Sequence, residues 1–203
     1  MQVFIAIVCF LIGALGWTFL EYTLHRFDGH GRKGKSLFSR EHLTHHAVKD
    51  YFSPNKLKAM GTIPVVLAGG ALSIYLFGWL VGVSLTVGLS TTYVAYEVFH
   101  WWLHVSAPRN FYGRWARKHH FGHHFIDARM NHGVTTPLWD IVFGTYMHVD
   151  KLQVPEKFAM RWLRDGNSGP VKEVLRDEYE IVTRGRPDPE AELVRNWGVT
   201  PTA

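Results

Sequence analysis

Cysteine occurs once, at Cys9, in a chain of 203 residues. A disulfide, a cysteine-ligated zinc site and an iron–sulfur cluster bound by this chain alone are therefore excluded. Charge is missing over two long stretches: no Asp, Glu, Lys or Arg occurs from Met1 to Leu20 or from Ala59 to Tyr96. As a helix the first stretch reaches about 29 Å, close to the hydrocarbon thickness of a bilayer. The second is about twice that length and contains Gly78, Trp79 and Gly82, which reads as two spans joined by a tight hairpin. No positive charge precedes the first apolar run, and no small-residue cleavage site precedes Glu21. That run is expected to remain as a helix rather than to be removed as a signal peptide. No Gly-rich dinucleotide fingerprint occurs and no haem-binding module is read in these residues, so an external electron source is expected for any redox chemistry.

The expected fold is an all-α integral membrane protein of about three transmembrane helices with a cytosolic, histidine-rich helical cap. Span one covers about Val3 to Leu24, span two about Gly61 to Phe77 with Pro64 near its start, and span three runs to about Trp102. Three spans bring the end of the first, the start of the second and the end of the third to one side. The flanking Lys and Arg residues lie at those ends, which the positive-inside rule assigns to the cytoplasm. The net charge of +5 is thus explained by orientation and anionic headgroups, and nucleic acid is not an expected partner. Residues 1–148 read as the membrane-embedded functional domain. Residues 149–203 read as a polar tail broken by Pro155, Pro170, Pro187 and Pro189, with Val154–Leu163 a candidate interfacial helix. Thr136 and Pro137 read as the start of a further short helix ending at Gly144.

What the chain has in abundance is histidine at helical spacing. Ten of its thirteen histidines fall into four clusters: His25 and His30; His42, His45 and His46; His100 and His104; His120, His123 and His124. Spacings of three and four residues put side chains on one helix face, one turn apart, where imidazoles can share an ion. All four clusters lie at the span ends assigned to one side. A single catalytic metal needs about three protein ligands, so ten histidines suffice for two ions. Two redox metals beside hydrocarbon suit O₂ activation and attack on an unactivated C–H bond of a lipid. His119 could pair with His123 just as His120 pairs with His124; repetition of the upstream HxxHH pattern favours His120. His119 and His132 are candidates for an alternative or extra ligand, and His148 reads as a surface residue. Glu21, Glu41, Glu97 and Asp127 lie about one turn from the clusters, where at least two of them are expected to hold the other ring nitrogen of a ligating imidazole. Asp140 is a further candidate for that role.

Taken together, HxxxxH, HxxHH, HxxxH and HxxHH, then Asn131-His132-Gly133 and the Trp139–Thr145 box WDIVFGT, resemble the fatty acid hydroxylase / sterol desaturase superfamily over about residues 15 to 147. The resemblance implies a di-iron centre (zinc can replace iron during purification), O₂ as co-substrate and two external electrons per turnover. A separate ferredoxin- or cytochrome-type carrier would supply them. No catalytic residue beyond the metal ligands is implied. The run from His100 looks closest to the acyl-chain hydroxylases, which favours a fatty acyl or ceramide-like substrate. Sterol, hopanoid or carotenoid hydroxylation, and desaturation, use the same plan. Outside the enzymes, a membrane metal-binding or transport protein and a bis-histidine haem protein are the competing readings. Transporters place ligands near the midplane, and haem needs fewer imidazoles.

Overall fold

The computed structural model describes residues 1–183 and 189–197; Pro187 lies outside the described residues. The chain is mostly helical: α1 (Gln2–Thr23), a π-helical turn (Leu24–His30), α2 (Leu37–Ala47), α3 (Asn55–Phe77), α4 (Trp79–Val105), α5 (Phe111–Phe125), α6 (Leu138–Val142) and α7 (Pro189–Asn196). Two short strands, β1 (Leu152–Pro155) and β2 (Tyr179–Val182), pair in parallel with Leu152 opposite Tyr179. The residues form two compact units, 1–21 with 53–98, and 22–52 with 99–203.

The first unit contains the uncharged parts of α1, α3 and α4, which among the described residues are the three helices long and apolar enough to cross a membrane. Their large apolar side chains, among them Phe4, Val65 and Leu67, are mostly exposed, which a water-soluble helix bundle would not tolerate at this scale. Two glycines set how closely α1 meets α4. A Cβ on Gly13 would lie 2.1 Å from the carbonyl oxygen of Leu85, and one on Gly88 would lie 2.1 Å from that of Phe10. Backbone-to-backbone approach through small residues is how helices associate in lipid, where burial of apolar area offers no drive. The α3–α4 turn is a single residue, Gly78 at φ +80°, a region open mainly to glycine. Helix α3 begins at Asn55, earlier than the apolar run suggests, because Lys56 and Lys58 extend its first turn beyond the hydrocarbon segment. Pro64 therefore sits inside the helix.

The second unit is built around α5. The tail has its own core: Val149, Leu152, Val154, Leu163, Val171, Leu175 and Tyr179 pack with Phe121 of α5. The anticipated helix over Val154–Leu163 is instead β1 followed by two short 3₁₀ turns, Glu156–Phe158 and Arg161–Leu163. Pro155 lacks an amide hydrogen, and the alternating apolar residues before it satisfy a strand. Trp162 donates its indole N–H to the His104 carbonyl at 2.8 Å, tying the tail to the end of α4. Arg117, fully buried, donates to the carbonyls of Trp102, Ser106 and Gly113 and stacks 4.1 Å over the Trp102 ring. The Trp102 and Ser106 oxygens lie at and just beyond the C-terminal end of α4, where carbonyls are open to further donors. Burial lowers the Arg117 pKa to about 10, which still leaves it cationic at neutral pH. Helix α7 covers α2, with Val194 against Leu43 and Ala47.

Candidate metal centre

Helix geometry decides which histidines meet. His25 and His30 are five residues apart, a spacing that an α-helix splays and a π-helix brings together. They lie on the π-helical turn, whose i→i+5 pattern is visible in the Gly31 amide donating to Arg26 at 3.1 Å. Helix α2 is capped by the Ser36 hydroxyl, which accepts from the Ser39 amide, and presents His42, His45 and His46. Asn110 caps α5 through the Gly113 amide, and α5 presents His120, His123 and His124. His100 and His104 are on α4.

The structure brings all ten together in two groups of five, both in the second unit. His25, His30, His42, His46 and His123 form the first group, and His45, His100, His104, His120 and His124 the second. Within each group one nitrogen per ring lies within 4.8 Å of the others. In the first group the Nε2 atoms of His30 and His123 are 2.9 Å apart, and those of His42 and His30 are 2.7 Å apart. In the second, His104 and His120 are separated by 2.9 Å, and His124 and His120 by 3.1 Å. The rings of His46 and His124, one from each group, stack at 4.0 Å.

Tautomers can be deduced, because a carbonyl only accepts. His25 donates Nδ1–H to the His132 carbonyl at 2.5 Å, His123 to that of Met130 at 2.7 Å, and His45 to that of Tyr51 at 2.7 Å. Each therefore turns an unprotonated Nε2 toward its group. The Nε2 atoms of His25 and His46 are buried without a hydrogen-bond partner among the described residues. Converging lone pairs of this kind repel unless a cation lies between them. Two nitrogens each about 2.1 Å from one ion and at right angles to it would be about 3.0 Å apart, which matches the observed spacings. The donor set fits a transition metal that accepts imidazole. Burial, followed by the charges neighbouring imidazoles would carry, lowers the pKa of His42, His46, His120, His123 and His124 well below the ordinary value. They are neutral, the state a metal requires.

His119 and His132 lie outside both groups. His119 bonds the Asp140 carboxylate through Nε2 at 3.2 Å and is stacked between Trp115 and Tyr146. His132 lies beside the first group, its ring centre 5.3 Å from that of His123. Exposed His148 pairs with Asp150. Asp140 is fully buried and accepts from His119, the amides of His132 and Gly133, and the Thr145 hydroxyl. Burial opposes its ionisation, but these donors prevail and hold its pKa well below the carboxylate range. Asp140 thus joins the Trp139–Thr145 box to the Asn131–Gly133 segment. Asn131 itself adopts φ +57° and bonds the Met147 backbone through its amide. Of the other carboxylates, Glu41 accepts at 2.7 Å from the hydroxyl of Tyr51, the residue whose carbonyl holds His45. Glu97 pairs with Lys58, Asp127 with Arg129, and Glu21 is buried in the first unit. The carbonyls of Tyr51, Met130 and His132 were not legible in the sequence, since every residue carries one.

Gly29 is a sensitive point in this packing. A Cβ there would lie 2.9 Å from Cδ2 of His42, the ring atom bonded to the Nε2 that faces His30. Gly29→Ala is expected to turn that imidazole and lower metal retention by the first group. Ions per chain after dialysis against a chelator measure this, and parent-like retention would refute it.

Among the described residues, three membrane-length helices and two sets of five buried or partly buried imidazoles define a polyhistidine membrane protein equipped to hold metal. The chain belongs to the fatty acid hydroxylase family, whose model matches residues 10–145. It is 32% identical over 149 residues to a ceramide very long chain fatty acid hydroxylase of Schizosaccharomyces pombe, covering 70% of this chain and 43% of that one. With a dihydroceramide fatty acyl 2-hydroxylase of Arabidopsis thaliana it shares 31% identity, over 66% of this chain and 58% of the relative. The chain spans about half the length of these curated relatives. A solved structure described as full-length scs7p, with only the hydroxylase domain visible, superposes with a TM-score of 0.58 at 28% identity, covering 73% of this chain and 58% of that one.

Proposed function

We propose that this protein is a membrane-embedded di-iron hydroxylase of a fatty acyl or ceramide-like chain, acting at the carbon next to the acyl carbonyl. The observation that carries the reading is the pair of five-imidazole groups, with Nε2 atoms spaced as ligands of one ion would be. Five donors exceed the four of a closed zinc site and suit a six-coordinate ion with a position left open. The names of the relatives supply the substrate class and the 2-position. Bound iron would supply O₂ activation and hydrogen abstraction. The overall change inserts one oxygen atom into C–H and reduces the other to water, with two electrons and two protons. A separate ferredoxin- or cytochrome-type carrier is the proposed electron source.

The protein's own part is preparation. Backbone carbonyls at Met130, Tyr51 and His132 fix three imidazoles in the ligating tautomer before any ion arrives. Burial keeps the groups neutral and limits water around them. The basic residues flanking the spans support a cytoplasmic orientation for the span ends that carry the histidines, by the positive-inside rule. Lipid mass spectrometry of host cells with and without the chain, co-expressed with a carrier, tests the function. A fatty acyl lipid gaining one oxygen at C2 is expected. Loss of two hydrogens instead would make it a desaturase, and an altered sterol or carotenoid pool would overturn the substrate.

A further inference from the structure

The two groups are not held in the same way. In the first group, His25 and His123 are oriented by the carbonyls of His132 and Met130. Both carbonyls lie on one short segment, and that segment is fixed by Asp140 through the His132 and Gly133 amides, both at 2.8 Å. The carboxylate is held in turn by Thr145, whose hydroxyl also meets that of Tyr22. In the second group the carbonyl orienting His45 belongs to Tyr51, whose hydroxyl donates to Glu41 of α2. Among the described residues, the hydrogen bonds of Asp140 go to His119, His132, Gly133 and Thr145 and do not reach that device. Asp140 is also the one carboxylate buried in the second unit among the described residues.

We propose that Asp140 is a positioning residue that governs metal retention by the group of His25, His30, His42, His46 and His123, and leaves the other group's ion in place. The inference rests on the two-metal reading above and deepens it: the centre contains one ion whose retention depends on a carboxylate that does not ligate it, and one whose retention does not.

The test uses the full chain in detergent, loaded with Zn(II), and counts ions per chain by elemental analysis after dialysis against graded chelator. Asp140→Ala is expected to keep about half the ions of the parent. Asp140→Asn retains an acceptor oxygen but not the charge, and is expected to release one ion faster by on the order of tenfold, the effect usual for a partner behind the ligand. Should the alanine variant fail to fold, the asparagine variant carries the test alone. The location is read by combination. Added to His42→Ala, Asp140→Asn should change nothing further; added to His124→Ala, it should take retention toward zero. Parent-like release, or an equal loss from both groups, overturns the proposal. A parent chain that never holds two ions fails at an earlier point, because then the two-metal reading itself is wrong.

Discussion

Alanine in place of His123 is expected to abolish hydroxylation. This imidazole is fully buried, its Nδ1–H is taken by the Met130 carbonyl, and its Nε2 lies 2.9 Å from that of His30. Losing a partner that merely orients a ligand weakens such sites by about 10–100-fold, so losing the nitrogen itself should lower turnover by at least about 100-fold. The comparison to make is with His148→Ala, which removes an exposed imidazole paired with Asp150 and should leave turnover unchanged. Product formation in membranes from the two variants, normalised to protein amount, is the measurement. An active His123→Ala enzyme would sink the assignment of the first group as a metal site.

Acid should unfold the metal-free protein, and the buried imidazoles are the reason. Burial, then neighbouring imidazole charge, lowers the pKa of His46, His120 and His123 in the folded state. In the unfolded chain the same rings titrate near about 6.5. Below that pH the unfolded chain binds protons that the folded one refuses, so stability is full above it and falls as the pH drops. Each such group removes up to about 1.4 kcal/mol per pH unit, and three remove up to about 4 kcal/mol. Against a typical total of about 5–15 kcal/mol, one unit of acidification is a large loss. Thermal melting of metal-free protein in detergent is expected to fall steeply between about pH 6.5 and about pH 5.5. A melting temperature flat across that interval would mean that these rings are not held neutral by the fold.

Much of the architecture was legible because lipid is an unforgiving solvent. Absence of charge located α1, α3 and α4, and glycine at position 78 located the hairpin. The histidine clusters were legible because three-, four- and five-residue spacings are geometric statements. What sequence spacing could not supply was the identity of the groups behind the imidazoles. A carboxylate one turn away is a reasonable partner, and spacing alone does not foretell that Asp127 also pairs with Arg129 and Glu97 with Lys58. Three imidazoles are held by main-chain oxygens, which leave no mark in a sequence. Asp140 works at a remove, through backbone amides eight and seven residues upstream. The tail misled for a different reason: its polar average hides Leu152, Val154, Trp162 and Leu163, which only the packing against α5 reveals as one core.

The π-helical turn at Leu24–His30 makes the chain intolerant of miscounting. On a regular α-helix, residues five apart point about 140° away from each other, and the wider turn removes that divergence. Deleting one residue between His25 and His30 would leave a four-residue interval that suits an ordinary helix, yet it would shorten the rise between the two rings and shift everything that follows. Adding one would leave no common helix type in which both rings face the same ion. The interval therefore behaves as a fixed gauge, and its length is constrained as tightly as the Gly29 position within it.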